Sequence, residues 1–380
     1  MKKEKNIIQF TSYSLPHVWG VENVVEGVFL KWTHWKSSIF SWDKKQNNIV
    51  YNDIMHRNID TKERIYFPSF DIIDNFSFPR LWTILFWKQL TRLKKVIQNH
   101  SNQTFILTHT RFFFSSFLGW VFAKYYKIPW FHIEHGSDYI QLRSSFFTKV
   151  AYIYDRILWK WVLRNAQKVL CISEASKIFI EKEFQVKDVS VWYRGIDFPL
   201  SEISKNHEDI ELVFIGRLVS LKWVKYLLEA YKRLNIALTL TIIGDGPERS
   251  SLETLSQNRN IIFLWAQEKT FIMDFLTQRN CILVNPSSQE WMPTTVIEAL
   301  MTKNVVIATD VWGTKEISNE QDLILFPPWD IDALVEKIIF AKENYFLFQS
   351  KSYNHMRDTF SWEKSLENLY NFLYLWNEKQ

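Results

Sequence analysis

Glycine is nearly missing from this chain: nine residues in 380, against an ordinary usage of about 7%. Any reading of its turns has to account for that deficit. Cysteine is scarcer still. Cys171 and Cys281 both sit in apolar, strand-like runs, so a disulfide framework and a cysteine-based metal site are excluded, and the pair reads as small buried hydrophobes in a reducing cytosol. No apolar run is long enough to cross a bilayer; the longest, 112–123, is interrupted by two serines. The opening MKKEKNIIQF leads directly into a strand, so no targeting segment is expected. Tryptophan, by contrast, is abundant at eighteen residues.

Charge is unevenly distributed. Residues 75–170 hold fourteen Lys and Arg against Glu134, Asp138 and Asp155, in a chain whose net charge is only +5. Within that stretch Lys149, Arg156, Lys160 and Arg164 are spaced seven, four and four, which aligns them on one helical face beside Tyr152 and Trp159; Lys88, Arg92 and Lys95 repeat the pattern. Such a face is either simply solvated or a surface for anionic lipid headgroups or a phosphorylated acceptor. No nucleic-acid-binding motif accompanies the charge.

Short apolar strands alternate with helical patterns, the sign of parallel sheets wound by helices. Strands are expected over 7–10, 104–107, 130–133 and 168–172, and again over 211–215, 238–243, 260–264, 281–284 and 305–308. The polar stretch 194–209, with Gly195 and Pro199, is the best hinge, and a final helix is expected over 362–377. Ligands of such folds gather at the carboxyl ends of the strands.

The segment NPSSQEWMPTTVIEALMTKNVVIATDVWG, residues 285–313, places Glu290 and Glu298 on either side of a Pro293-Thr294-Thr295 helix start. Pro293 fits the first helical position, where its missing N–H is not needed, and the free amides of that turn suit a diphosphate. Glu298, four residues after Thr294, shares its face, while Glu290 hangs in the preceding loop. This Glu, seven residues, Glu pattern resembles the donor-binding motif of the retaining family 4 glycosyltransferases, α/β proteins of the GT-B fold with two Rossmann-like domains facing a cleft and a C-terminal helix crossing back to the first. That resemblance implies an acceptor-side domain over 1–195, a donor-binding domain over 196–360 and a returning helix over 361–380.

Further motifs support it. Phe214-Ile215-Gly216-Arg217-Leu218 with Lys222 resembles the family's Gly-Arg-Leu strand end, in which Arg and Lys neutralise the donor diphosphate without a metal. Pro16-His17-Val18-Trp19-Gly20-Val21-Glu22 stands where the family has a glycine turn near the donor phosphates, making Gly20 a donor-side residue. Glu134-His135-Gly136-Ser137-Asp138 ends a strand, and His135 matches the family's cleft histidine beside the transferred sugar. His109 and Arg111 end another strand and are candidates on the acceptor side; Arg111 either holds the acceptor or closes the cleft. Gly244-Asp245-Gly246-Pro247-Glu248 reads as a mainly structural turn. Asp330-Ile331-Asp332 has the form of a metal motif but reads as a helix cap.

Relative to the family pattern, Trp19, Trp223, Trp265, Trp291, Trp312 and Trp329 each occupy a glycine position. Gly and Trp together reach ordinary glycine usage. Either the loops are blocked in a divergent protein, or UGA codons meaning glycine have been read as tryptophan; Trp120 and Trp362 look like true aromatic sites. The resemblance implies a retaining transferase moving a sugar from a nucleoside-diphosphate sugar to a lipid-linked or cell-surface polysaccharide precursor, on the cytoplasmic face of a membrane. His135 and Glu290 would be catalytic, and Gly20, Arg217, Lys222, Glu290, Pro293, Thr294, Thr295 and Glu298 would hold the donor. No metal or other cofactor is expected. A nucleotide-sugar epimerase and a non-catalytic binding protein are the alternatives.

Overall fold

Both predicted sets of strands form parallel sheets, in two units: Met1–Gly195 with Ser365–Gln380, and Ile196–Lys364. The computed structural model describes residues 5–12, 20–42, 62–73, 76–99, 104–111, 113–136, 139, 145–199, 203, 205, 209–256, 260–317, 323–349 and 351–378. Pro16 to Trp19, Ser137, Asp138 and part of the expected hinge lie outside the described residues.

The first unit contains β1 (Asn6–Phe10), β2 (Lys36–Trp42), β3 (Lys62–Phe67), an antiparallel pair β4 (Ser69–Ile73) and β5 (Phe76–Pro79), then β6 (Thr104–His109), β7 (Trp130–Glu134), β8 (Lys168–Cys171) and β9 (Val189–Val191). Seven of them make one parallel sheet in the order β3-β2-β1-β6-β7-β8-β9. Strands such as β1 and β6 are buried along their whole length, as expected of a parallel sheet covered on both faces. The last helix, Trp362–Glu378, joins this unit from Ser365 onward: Trp192 Nε1 donates to the Ser365 carbonyl at 2.8 Å, and the Ser365 hydroxyl donates to that of Tyr193 at 2.9 Å.

The second unit has β10 (Ile210–Ile215), β11 (Leu240–Ile243), β12 (Ile261–Leu264), β13 (Asn280–Asn285), β14 (Val305–Thr309) and β15 (Ile324–Phe326), in the order β12-β11-β10-β13-β14-β15. Its first long helix, Val224–Arg233, buries Val224, Leu227, Leu228 and Tyr231 at three- and four-residue spacing, and its last turn carries Lys232 and Arg233, which favour the negative end of the helix dipole. Burying one such leucine stabilises the fold by about 1.5 to 3 kcal/mol.

The strand order reverses between β1 and β6 in one sheet and between β10 and β13 in the other. Crevices for ligands open at such switch points. Local sequence patterns missed β2, β3, the β4–β5 pair and the short β9 and β15. Three serines break the apolar run of β2, and three residues are too few to show a period.

Two details correct the sequence reading. Pro293 is the N-cap, one place before the helix Thr294–Met301, with φ −69° and ψ 104°. The basic stripe does not run down one regular helix either: a π-helical turn, Asp155–Trp159, separates Ser145–Tyr154 from Lys160–Leu163. Arg156 pairs with Glu183 at 3.1 Å and Arg164 donates to the Phe184 carbonyl, so half of the stripe is engaged within the unit.

Candidate functional site

In the second unit, β10 and β13 lie side by side, so the loops leaving their carboxyl ends meet. Ser288 donates its backbone N–H to the Leu221 carbonyl at 2.9 Å, and Lys222 Nζ contacts Glu290 Oε1 at 2.5 Å. The two motifs read separately in the sequence thus become one cluster. Arg217 is exposed just past β10, with no side-chain partner among the described residues. Thr294 and Thr295 are half-buried at the start of their helix; amides of a first turn have no intrahelical acceptor and point outward. Behind them Glu298 is buried, with Lys269 Nζ 3.6 Å from its Oε1.

Lys269 was missed by the sequence reading. It opens the helix Lys269–Gln278, four residues after Trp265, and only the β-sheet order brings it to Glu298. Missed too was the support beneath the loop: the Thr309 hydroxyl donates to the Ser287 carbonyl at 2.5 Å and the Ser287 hydroxyl to Asn285 Oδ1 at 2.7 Å.

Gly244 and Gly246 have φ of 154° and 157°, and a Cβ there would meet the carbonyl oxygens of Gly216 at 1.9 Å and Leu218 at 2.4 Å. The turn after β11 therefore packs directly against the backbone that carries Arg217, which makes it structural. Asp330 is a helix cap, accepting the Ala333 N–H at 2.8 Å. A depression of about 750 Å³ lies at the opposite, amino-terminal edge of this sheet, lined by Glu211, Asn260 and Arg279 among others, and contains none of the motif residues.

The first unit gathers its titratable groups differently. His109 at the end of β6 and His135 just past β7 are 3.1 Å apart, Nδ1 to Nε2, and His109 Nε2 is 3.0 Å from Gln9 Oε1 on β1. Gln9 Nε2 donates to the Val25 carbonyl, which fixes its amide orientation. The Gln9 oxygen only accepts, so His109 carries its proton on Nε2; its Nδ1 then accepts from His135 Nε2–H, and the lone pair of His135 is left on Nδ1. Burial, reinforced by its histidine neighbours, pushes the His109 pKa far down, and burial also lowers His132. His135 falls to about 3, chiefly through burial, with Arg194 and His132 adding to it. All three are neutral near pH 7.

Beside them Glu134 accepts N–H groups of His135 and Gly136 at 3.0 Å and pairs with Arg111 at 3.0 Å. Burial alone would raise its pKa, but the Arg111 charge and His132 hold the carboxyl well below the usual range. Burial pushes Asp155, the second carboxylate on Arg111, up to about 6.

The surroundings of Arg111 do not suit the first of its two expected roles, an acceptor contact. Arg111 is buried, paired to both carboxylates and stacked over Phe179 and Phe184, so its cation is consumed within the unit rather than offered to an acceptor. Gly20 opens the helix Gly20–Lys31, its carbonyl accepting from Arg194 at 3.2 Å.

Two Rossmann-like α/β units, one with cations and glutamates at its sheet's switch point, are the architecture of the GT-B class. Residues 55–198 match the model of glycosyltransferase family 4 and residues 199–359 that of the glycosyl transferases group 1, and the chain belongs to this family.

An uncharacterized glycosyltransferase of Methanocaldococcus jannaschii is 28% identical over 97% of both chains. The N,N'-diacetylbacillosaminyl-diphospho-undecaprenol alpha-1,3-N-acetylgalactosaminyltransferase of Campylobacter jejuni is 24% identical over 78% of this chain and 82% of its own. Among solved structures, HepE of Anabaena in complex with UDP and glucose superimposes with a TM-score of 0.67 at 14% identity, covering 97% of this chain and 99% of that one. Among the described residues no helix is long and apolar enough to cross a membrane.

Proposed function

We propose that the protein transfers a sugar from a nucleoside-diphosphate sugar to an acceptor with retention of anomeric configuration and without a metal. The observation that carries this reading is the Lys222–Glu290 pair at the β10/β13 switch point, beside the Thr294 and Thr295 amides and the exposed Arg217. A diphosphate there exchanges Glu290 for itself as the partner of Lys222, and Glu290 turns to the sugar hydroxyls. Arg217 and the helix amides stabilise the charge that grows on the leaving group as the glycosidic bond breaks. Glu298 takes the ribose hydroxyls, and the UDP held by HepE supports a nucleoside diphosphate as the donor half. His135, neutral and with its Nδ1 lone pair available, accepts a hydrogen bond from a sugar hydroxyl. Retention then rests on front-face attack, the leaving phosphate taking the acceptor's proton.

For the acceptor we propose a lipid-linked sugar on the cytoplasmic face of a membrane, the chemistry named for the Campylobacter relative. Exposed Trp82, Ile84 and Trp87 stand next to Lys88, Arg92 and Lys95, and exposed Phe146, Ile153 and Ile157 next to Lys149 and Lys160. Aromatic and cationic groups together suit an anionic interface.

The test is turnover of a panel of UDP-, GDP- and dTDP-sugars in EDTA with diphospho-undecaprenol-linked acceptors in vesicles, the product anomer read by proton NMR. An inverted product or loss of turnover in EDTA overturns the mechanism. Donor conversion with no acceptor present moves the assignment to an epimerase.

A further inference from the structure

In the second sheet, the connections that follow five of the six strands carry a tryptophan: Trp223 after β10, Trp265 after β12, Trp291 after β13, Trp312 after β14, where it opens the short helix Trp312–Lys315, and Trp329 after β15. The sixth, after β11, carries Gly244 and Gly246 at positive φ. Trp223 is buried against Tyr226 and Trp265 lies under the Arg249 guanidinium at 3.8 Å, but the backbone and ring pairing of two of the five do not suit tryptophan. Trp223 and Trp329 have φ of 48° and 69°, in the left-handed region where a bulky side chain is strained and glycine is not. Their rings stand 3.5 Å apart between centroids while tilted by 45°, closer than the roughly 4.5–7 Å that aromatic pairs adopt.

Trp265, Trp291 and Trp312 are exposed, Trp312 by 73%, so their indoles gain little from burial. The backbone of Trp291 also lies in a close approach: a Cβ on Gly313 would meet the Glu290 carbonyl at 2.3 Å and the backbone of Trp291 at 2.6 Å. Tryptophans inside the core look different, although Trp82, Trp87 and Trp161 elsewhere are exposed as well. Trp32, Trp42, Trp130, Trp159 and Trp192 are fully enclosed within elements or core, which is what a large apolar ring does when it is selected as such.

We infer that Trp223, Trp265, Trp291, Trp312 and Trp329 stand at glycine positions, encoded by UGA codons that the source organism reads as glycine. The functional sheet edge is then a cradle walled by backbone amides, into which a diphosphate descends to Arg217, Lys222 and the Thr294 turn. Trp19, outside the described residues, joins the set on its sequence context alone. The cradle's ligand rests on the donor reading given above; the glycine assignment does not, because it stands on the left-handed φ and crowded rings of Trp223 and Trp329 and on the strand-end position of all five.

The experiment has two arms. Peptides of the native protein are sequenced by mass spectrometry together with the gene: glycine and UGA are expected at the five positions, tryptophan and UGG at the five enclosed ones. Tryptophan or UGG at the strand-end positions overturns the inference.

In the second arm the chain as written and the variant carrying Trp223→Gly, Trp265→Gly, Trp291→Gly, Trp312→Gly and Trp329→Gly are titrated with UDP and GDP and melted. The glycine form is expected to bind one of the nucleotides on the order of tenfold more tightly or better. Relief of strain at 223 and 329 is expected to raise its melting temperature by a few degrees. Weaker binding by the glycine form would mean that the indoles are stacking platforms, and the cradle falls. Glycine in the native peptides with no nucleotide bound by either form leaves the glycine assignment standing and removes the donor reading.

Discussion

The two sheet edges share a topology and use it in opposite ways. At the β1/β6 switch point Gln9, His109 and His135 are buried and bonded to one another, and nearby Arg111 is closed between Glu134 and Asp155. At the β10/β13 switch point Arg217 stays exposed, and Lys222, Glu290 and Lys269 keep part of their surface in solvent. A buried polar network is held in one arrangement and presents a fixed, neutral face; a partly solvated cluster can exchange its internal partners for a charged ligand at modest cost. The first edge therefore suits orientation of a neutral group such as a sugar hydroxyl, the second suits capture of an anion.

The largest contrast is expected on acidification. His109, His132 and His135 have folded pKa values below the unfolded value of about 6.5, so the unfolded chain takes up protons that the native first unit refuses. Their contribution is complete above that pH and declines as the pH falls, for His135 down to about 3. Each contributes roughly 1.4 kcal/mol per pH unit, and Asp155, raised to about 6, acts with the opposite sign between that value and the ordinary range. Thermal melts from pH 7 to pH 5, followed by near-ultraviolet circular dichroism, should show the first unit losing stability steeply; a flat profile would mean the histidines are not buried neutral. Among the described residues the second unit holds no buried histidine.

Removing Arg111 comes next. Arg111→Met leaves Glu134 buried without its cation, which should cost about 3 to 5 kcal/mol in denaturant unfolding. An effect below 1 kcal/mol would mean that Arg111 is solvated and revive it as an acceptor contact.

Smallest in stability, and telling for function, are Arg217→Ala and Lys222→Ala, best made with the strand-end tryptophans replaced by glycine. Exposed and half-exposed cations contribute about 0 to 1 kcal/mol to folding, so melting should hardly move, whereas calorimetry should show nucleoside-diphosphate binding weakened by about 1.5 to 3 kcal/mol each. Unchanged affinity in both variants would take them out of the donor site.

Much of this was legible from sequence. Nine strands were visible: burial on both faces writes an unbroken apolar run in most of them, and the half-buried edge strand β12 is apolar as well; Arg217, Lys222, Glu290 and Glu298 stood in motifs a few residues long. Arg111 was not legible as a structural cation: nothing local says that Asp155 and the rings of Phe179 and Phe184 will close over it. Nor was Lys269, which acquires its place only from the helix that follows β12. Pro293 was misplaced by one residue, within the ordinary uncertainty of a helix end.

By itself the sequence determined the alternation of strand and helix, the loops that bear charge and the excess of tryptophan over glycine, since period and residue type are local properties. The tertiary structure decided the strand order that joins Lys222 to Glu290 across 68 positions and Gln9 to His109 across 100. It also decided which cations are enclosed and which remain in water, and that two of the tryptophans take left-handed backbone. Such outcomes depend on which distant segments pack together, and long-range pairing is not written in any single stretch of residues.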